Sequence, residues 1–124
     1  MAKTTVALTP AADEAADVLE SFKLPERAHL VRLGFAYALR AEFDLERASD
    51  FGNPSNNHYT ASVATLDPDQ KIADLINAYY EKQDDPYYAL ETLANKGLVA
   101  IGELIASGEI GSLSDLLDDS EPIS

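Results

Sequence analysis

One ten-residue stretch of this sequence, Leu30 to Leu39, is apolar on almost every side of a helical turn. Only Arg32 within it carries a charge, and the segment that contains the stretch opens at Pro25. A helix on a protein surface keeps a polar face, so a helix apolar nearly all round is buried on several sides. A chain of 124 residues has few other elements with which to surround it. The stretch therefore predicts a central helix and favours a second copy of the chain as part of its cover.

The N-terminus carries the clearest strand pattern. Residues 3–8 are rich in β-branched side chains, and Val6 and Leu8 fall on the opposite face from Lys3 and Thr5. A lone strand needs a partner for its backbone. Residues 60–65 are the only other candidate strand, and a weak one, so we expect residues 3–8 to pair with the same strand of a second subunit.

The rest of the chain reads as helices joined by a turn-rich loop. Proline follows a capping residue at Thr9-Pro10, Asp67-Pro68 and Asp85-Pro86, which is typical of helix starts. Apolar periodicity then predicts helices over 9–22, 25–45, 67–82, 86–107 and 112–117. We accordingly expect a unit over 1–47, a loop over 48–66, a helical extension over 67–119 and a tail over 120–124.

The chain is strongly acidic, with a net charge of −13. Residues 1–50 carry six basic and nine acidic side chains, whereas residues 51–124 carry three basic and thirteen acidic ones. An acidic surface repels phosphate, so any contact with nucleic acid is expected in the N-terminal half. Solubility, or a salt-adapted host, is the simpler explanation of the acidity. The lack of cysteine, of a signal-like segment and of a long apolar run leads us to expect a cytoplasmic protein without a membrane contact.

Catalytic patterns are not apparent in the sequence. His29 and His58 are the only histidines, and they do not form a zinc-binding spacing. We therefore expect no enzyme activity, no cofactor and no metal. Four tyrosines bracket the turn at Asp85-Pro86, and they are either half core and half rim or a patch that docks a protein partner. They are Tyr79, Tyr80, Tyr87 and Tyr88.

A strand, a three-turn helix, a tight connection and a second apolar helix within residues 3–43 resemble the ribbon-helix-helix family. The resemblance implies that two chains pair their strands into a ribbon that enters the DNA major groove, with their helices interlocked in one core. It implies DNA contacts from Lys3, Thr5 and Arg27. It also implies a dimer core of Val6, Leu8, Leu30, Leu33, Gly34 and Tyr37. The second helix further resembles that of small accessory proteins of bacterial DNA-modification and defence systems.

The sequence departs from the family where the second helix begins. Pro25 has no N–H to offer a phosphate and Glu26 would repel one. The sequence thus predicts a mainly α protein: a ribbon-helix-helix-like N-terminal unit followed by two to three further helices. The expected function is that of a small dimeric DNA-associated regulator or accessory subunit. The alternative is an acidic protein-interaction adaptor with the same dimer core and no DNA binding. Its expected partners are itself, as a homodimer or higher even oligomer, DNA, and a protein bound through the acidic C-terminal half.

Overall fold

A computed structural model describes residues 4–20, 27–47, 49, 51, 52, 54, 59–80 and 84–107. Over these residues the protein is mainly helical, with one small antiparallel sheet, so the predicted helical class is confirmed. The predicted helix at 112–117 and the tail at 120–124 lie outside the described residues. The elements are β1 (Thr5–Ala7), α1 (Pro10–Glu20), α2 (Arg27–Arg40), β2 (Thr60–Ser62), α3 (Val63–Leu66), α4 (Lys71–Tyr79) and α5 (Pro86–Ala106).

Two of the three predicted helix starts are observed at the predicted residues. The Thr9 hydroxyl accepts the Ala12 N–H at 3.2 Å, and the Asp85 carboxylate accepts the Tyr87 N–H at 3.2 Å. Both contacts supply partners to N–H groups that a helix leaves unpaired in its first turn. The start predicted at Asp67-Pro68 is wrong by several residues. α4 begins only at Lys71, after a turn in which the backbone of Gln70 is left-handed at φ 61°.

The apolar helix α2 is covered by α5 of the same chain. The two helices approach most closely where Gly34 faces Gly97. A Cβ on Gly34 would lie 2.6 Å from the Ala94 carbonyl oxygen, and one on Gly97 would collide with the Gly34 carbonyl. Glycine at both positions lets the two backbones touch. The close crossing that Gly34 suggests is therefore present, but the second helix comes from the same chain.

The residues predicted to form a dimer core already contribute to the core of a single chain. Val6, Leu8 and Leu30 are fully buried, Gly34 is buried against α5, and Leu33 and Tyr37 are half-buried. The apolar character of α2 thus has an explanation within one chain and no longer requires a second copy. The homodimer stays a prediction without that support.

The N-terminal strand has a partner within its own chain, because β1 pairs with β2, so the argument that it needs a second subunit no longer holds and pairing between subunits stays a prediction. The two strands are antiparallel, with Thr5 opposite Ser62 and Ala7 opposite Thr60. The Leu8 N–H extends the ladder by donating to the Tyr59 carbonyl at 3.0 Å. The sequence did not reveal this pairing, because β2 is far along the chain, is only three residues long and leads directly into α3.

The opposite edge of β1 is occupied at Ala7 by two buried side chains of α5. Glu91 Oε2 accepts the Ala7 N–H at 3.0 Å, and Asn95 Nδ2 donates to the Ala7 carbonyl at 3.0 Å. Asn95 Oδ1 also accepts the Thr9 N–H at 2.8 Å. These side chains provide the hydrogen bonds that a third strand would otherwise provide. The Thr9 carbonyl accepts the Asp13 N–H at 2.9 Å, so the backbone groups of Ala7 and Thr9 on this edge already have partners within the chain.

Candidate protein-binding groove

Arg47 attaches the connection that follows α2 to helix α5. Its guanidinium donates to the buried Glu91 at 2.9 Å and to the Thr92 hydroxyl at 2.9 Å. The same group lies near two aromatic rings, 4.8 Å from the Phe51 centroid and 4.0 Å from the Tyr88 centroid. Cation–π contacts with two rings add to the ion pair of a guanidinium. Arg47 thereby holds Phe51 in place beside α5.

A groove of about 500 Å³ opens between the start of α1, residues 42–44 with Phe51, and the second half of α5. The volume lies within the range of protein ligand pockets, roughly 300–1,000 Å³. Its floor and walls are largely apolar, with contributions from three separate parts of the chain. The apolar lining consists of Ala11, Phe43, Phe51, Val99 and Ala100, and the polar lining of Glu42, Asp44, Asn95, Lys96 and Glu103.

The charged side chains of the lining, which we call the rim of the groove, carry a net negative charge. Glu42, Asp44 and Glu103 bring three carboxylates, and Lys96 brings the only opposing charge among the lining residues. Lys96 Nζ donates to Asp44 Oδ1 at 2.7 Å and to the Asp44 carbonyl at 2.9 Å. The hydrogen bond from Lys96, then that from the Glu46 N–H, holds the pKa of Asp44 below its usual value. Asp44 is therefore ionised at neutral pH, and its side chain is 76% exposed.

Tyr80, at the end of α4, holds the segment that carries Glu42 and Asp44. Its hydroxyl donates to the Phe43 carbonyl at 2.6 Å, and the ring is partly buried. Burial raises the pKa of Tyr80, and the negative charges of Asp44 and Glu42 raise it further. Tyr80 thus has a defined structural role at the groove.

Tyr87 plays a similar role away from the groove. Its hydroxyl donates to Asp67 Oδ2 at 2.9 Å, and the Asp67 carboxylate also accepts the N–H groups of Ile72 and Ala73. Asp67 therefore caps α4 from four residues before its first turn. Burial, followed by the contact with Asp67, raises the pKa of Tyr87 to about 12.

The four tyrosines predicted as one patch divide into two pairs. The hydroxyls of Tyr80 and Tyr87 are used in the contacts described above, whereas Tyr79 and Tyr88 are 65% and 47% exposed. One face of the Tyr88 ring contacts the Arg47 guanidinium. A partner role for Tyr79 and Tyr88 stays a prediction.

The predicted DNA-contacting residues are only partly described. Thr5 is exposed on β1, Lys3 lies outside the described residues, and Arg27 begins α2 with a side chain outside them as well. Of the two histidines, His29 is exposed on α2 and His58 lies outside the described residues. Within the described ranges, no three His, Asp or Glu side chains come together as a metal site would require. Among the helices the structure describes, none has both the length and the apolar character needed to cross a bilayer.

The sequence prediction missed the residues that organise this region. Glu91 and Asn95 stand four apart on a helix face that they share with the apolar residues Ala94 and Leu98. That pattern was a usable signal, because polar side chains on an apolar helix face need buried partners. Arg47 and Lys96 had no such signal, because their contacts join residues 44 to 52 positions apart.

The chain was compared with protein-family models, with curated proteins and with solved structures, and none of them matches it.

Proposed function

We propose that this protein is an acidic protein-interaction module and that it binds a partner protein in the groove beside α5. One observation carries the proposal: an open groove with an apolar floor has three carboxylates around its rim. Protein-binding surfaces combine an apolar centre with a polar rim in this way. Because Arg47 and Tyr80 fix the groove's outer wall, the site needs little ordering when a partner binds, which favours affinity.

A DNA-associated regulator of the ribbon-helix-helix type has less support. β1 pairs with β2 on one edge and with Glu91 and Asn95 on the other, so an intermolecular ribbon would have to break contacts made within the chain. The net charge of −13 opposes binding to phosphate. Lys3, Thr5 and Arg27 remain the residues that would contact DNA if it binds.

A random peptide library displayed on phage tests the proposed function, since it samples many partner sequences at once. We expect the purified chain to enrich peptides that bind it and lose affinity for Ala100→Gln, in which a longer side chain fills the groove. Ala78→Gln is the matched control, because Ala78 is exposed on α4 and does not line the groove. Thermal unfolding of both variants checks that the fold is retained.

Two outcomes would contradict this function. Enriched peptides that bind wild type and Ala100→Gln equally would place the binding surface elsewhere. Failure to enrich any peptide, together with a salt-sensitive shift of a generic DNA duplex, would favour the DNA-associated regulator.

A further inference from the structure

We propose that the groove binds a basic amphipathic segment of the partner protein, and that a cationic side chain of this segment displaces Lys96 from Asp44. This inference rests on the proposed function and names the chemistry of the partner. It also assigns Lys96 the role of an internal competitor that sets the affinity of the groove.

The geometry of the Lys96 contact supports displacement. Lys96 reaches the rim from α5, and its ammonium group contacts both the side chain and the carbonyl of Asp44. These two oxygens form a small acceptor site that suits an ammonium or a guanidinium group. The Lys96 side chain is 21% exposed and that of Asp44 is 76% exposed, so a second cation can approach the carboxylate from solvent. An exposed ion pair of this kind contributes little to stability, so its exchange for another cation costs little.

The surrounding residues define the remainder of the ligand. Glu42 and Glu103 provide two further carboxylates, so the rim keeps an excess of negative charge even with Lys96 in place. Phe43, Phe51 and Val99 give the floor an apolar surface that a polar cation alone would leave exposed to water. The preferred ligand therefore presents apolar side chains to the floor and lysine or arginine to the rim.

Charge argues against the two occupants that the chain itself could supply. A second copy would bring another net charge of −13 to an acidic rim. Residues 108–124 contain five carboxylates and no lysine or arginine, so they too would be repelled. A basic segment of a different protein is the occupant that complements the groove.

The test uses a short helical peptide of leucine and lysine, and the same peptide with glutamate at each lysine position. Isothermal titration calorimetry should detect binding of the lysine peptide to wild type and no binding of the glutamate peptide. Asp44→Asn should weaken binding about threefold, the size expected for one exposed ion pair. Asp69→Asn, which removes the same charge from an exposed site outside the groove, should leave the affinity unchanged.

The Lys96 substitution separates displacement from simple attraction. Lys96→Met keeps the unbranched stem and removes the ammonium group, so it should strengthen binding of the lysine peptide about threefold. Lys71→Met makes the same change in net charge on the exposed face of α4 and should have no comparable effect. Equal gains in the two variants would show that only overall charge matters, and weaker binding to Lys96→Met would overturn the displacement.

A further titration with spermidine distinguishes a peptide from a free polyamine. Spermidine carries cationic groups without an apolar face, so it should bind at least tenfold more weakly than the lysine peptide. Equal binding of spermidine would contradict the role given to the apolar floor. If library peptides bind through the groove but Lys96→Met leaves their affinity unchanged, this inference fails and the proposed function stands. If nothing binds in the groove, the proposed function fails as well.

Discussion

Helix α5 has a closed side that packs against other elements and an open side that lines the groove. Polar side chains are buried on the closed side and accessible to solvent on the open side. On the closed side, Glu91 and Asn95 are buried and satisfy the backbone of β1, and Asn95 also borders the groove. On the open side, Lys96 and Glu103 line a groove that is accessible to solvent. Buried polar groups with complete hydrogen bonding specify one packing arrangement. Charged groups beside an open apolar floor are instead available to a partner, so burial distinguishes structural polar residues from candidate binding residues in this helix.

The largest stability effect is expected at the glycine crossing on the closed side. Gly97→Ala should lower the free energy of unfolding by about 3 kcal/mol, because the new methyl group meets the Gly34 backbone, which cannot rotate away. Gly102→Ala is the comparison, since its methyl group would meet the side chain of Ala15 near the end of α5, and a loss of about 1 kcal/mol is expected there. Urea denaturation measures both. Equal losses would mean that the crossing is not as close as described.

A smaller effect is expected from the polar contacts that close β1. Glu91→Ala should lower the free energy of unfolding by about 2 kcal/mol, because it leaves the buried Ala7 N–H without an acceptor and Arg47 without its carboxylate. Glu103→Ala removes a carboxylate from the open side and should change stability by less than about 0.5 kcal/mol. The contrast between the two sides of α5 is lost if both variants unfold at the same urea concentration.

The smallest effect is expected at Tyr87, where it depends on pH. Tyr87→Phe should cost about 0.5 kcal/mol at neutral pH, because Asp67 keeps its two backbone donors. The fold raises the pKa of Tyr87 from 10.0 to about 12, so it favours the neutral phenol. That stabilisation is complete below pH 10 and is lost as the pH rises toward about 12.

Urea denaturation between these pH values should therefore show a steeper loss of stability for wild type than for Tyr87→Phe. Tyr80, whose pKa is also raised, is present in both proteins and cancels in the comparison. Parallel pH profiles would contradict the contact between Tyr87 and Asp67.

The sequence predicted the parts of the fold that depend on neighbours along the chain. The helix starts at Pro10 and Pro86 follow from adjacent capping residues, and the helical periodicity located α1, α2, α4 and α5. The partner of β1 was missed because three-residue β2 has little strand character of its own and lies over fifty residues away. The groove was missed for a related reason: residues 42–44 and Phe51 form its wall only because Arg47 and Tyr80 attach this part of the chain to distant elements.

The inference of a dimer core shared by two chains shows where prediction from sequence patterns fails. An apolar helix and a strand without an obvious partner each indicate missing contacts, but they do not say which chain supplies them. Here the same chain supplies both: α5 covers α2 at Gly97, and β2 pairs with β1 on one edge while Glu91 and Asn95 of α5 contact Ala7 on the other. Only the tertiary structure shows that these contacts come from the same chain.

The most direct test of the open groove is an NMR titration of the full chain with the leucine–lysine peptide, followed by a generic DNA duplex at low salt. We predict that the peptide changes the amide chemical shifts of residues 42–44, 51 and 96–103 and leaves those of residues 5–9 unchanged. The duplex should change neither group. Shifts at residues 5–9 on addition of DNA, with no response of the groove to the peptide, would contradict the account and return β1 to the role that the ribbon-helix-helix resemblance implies.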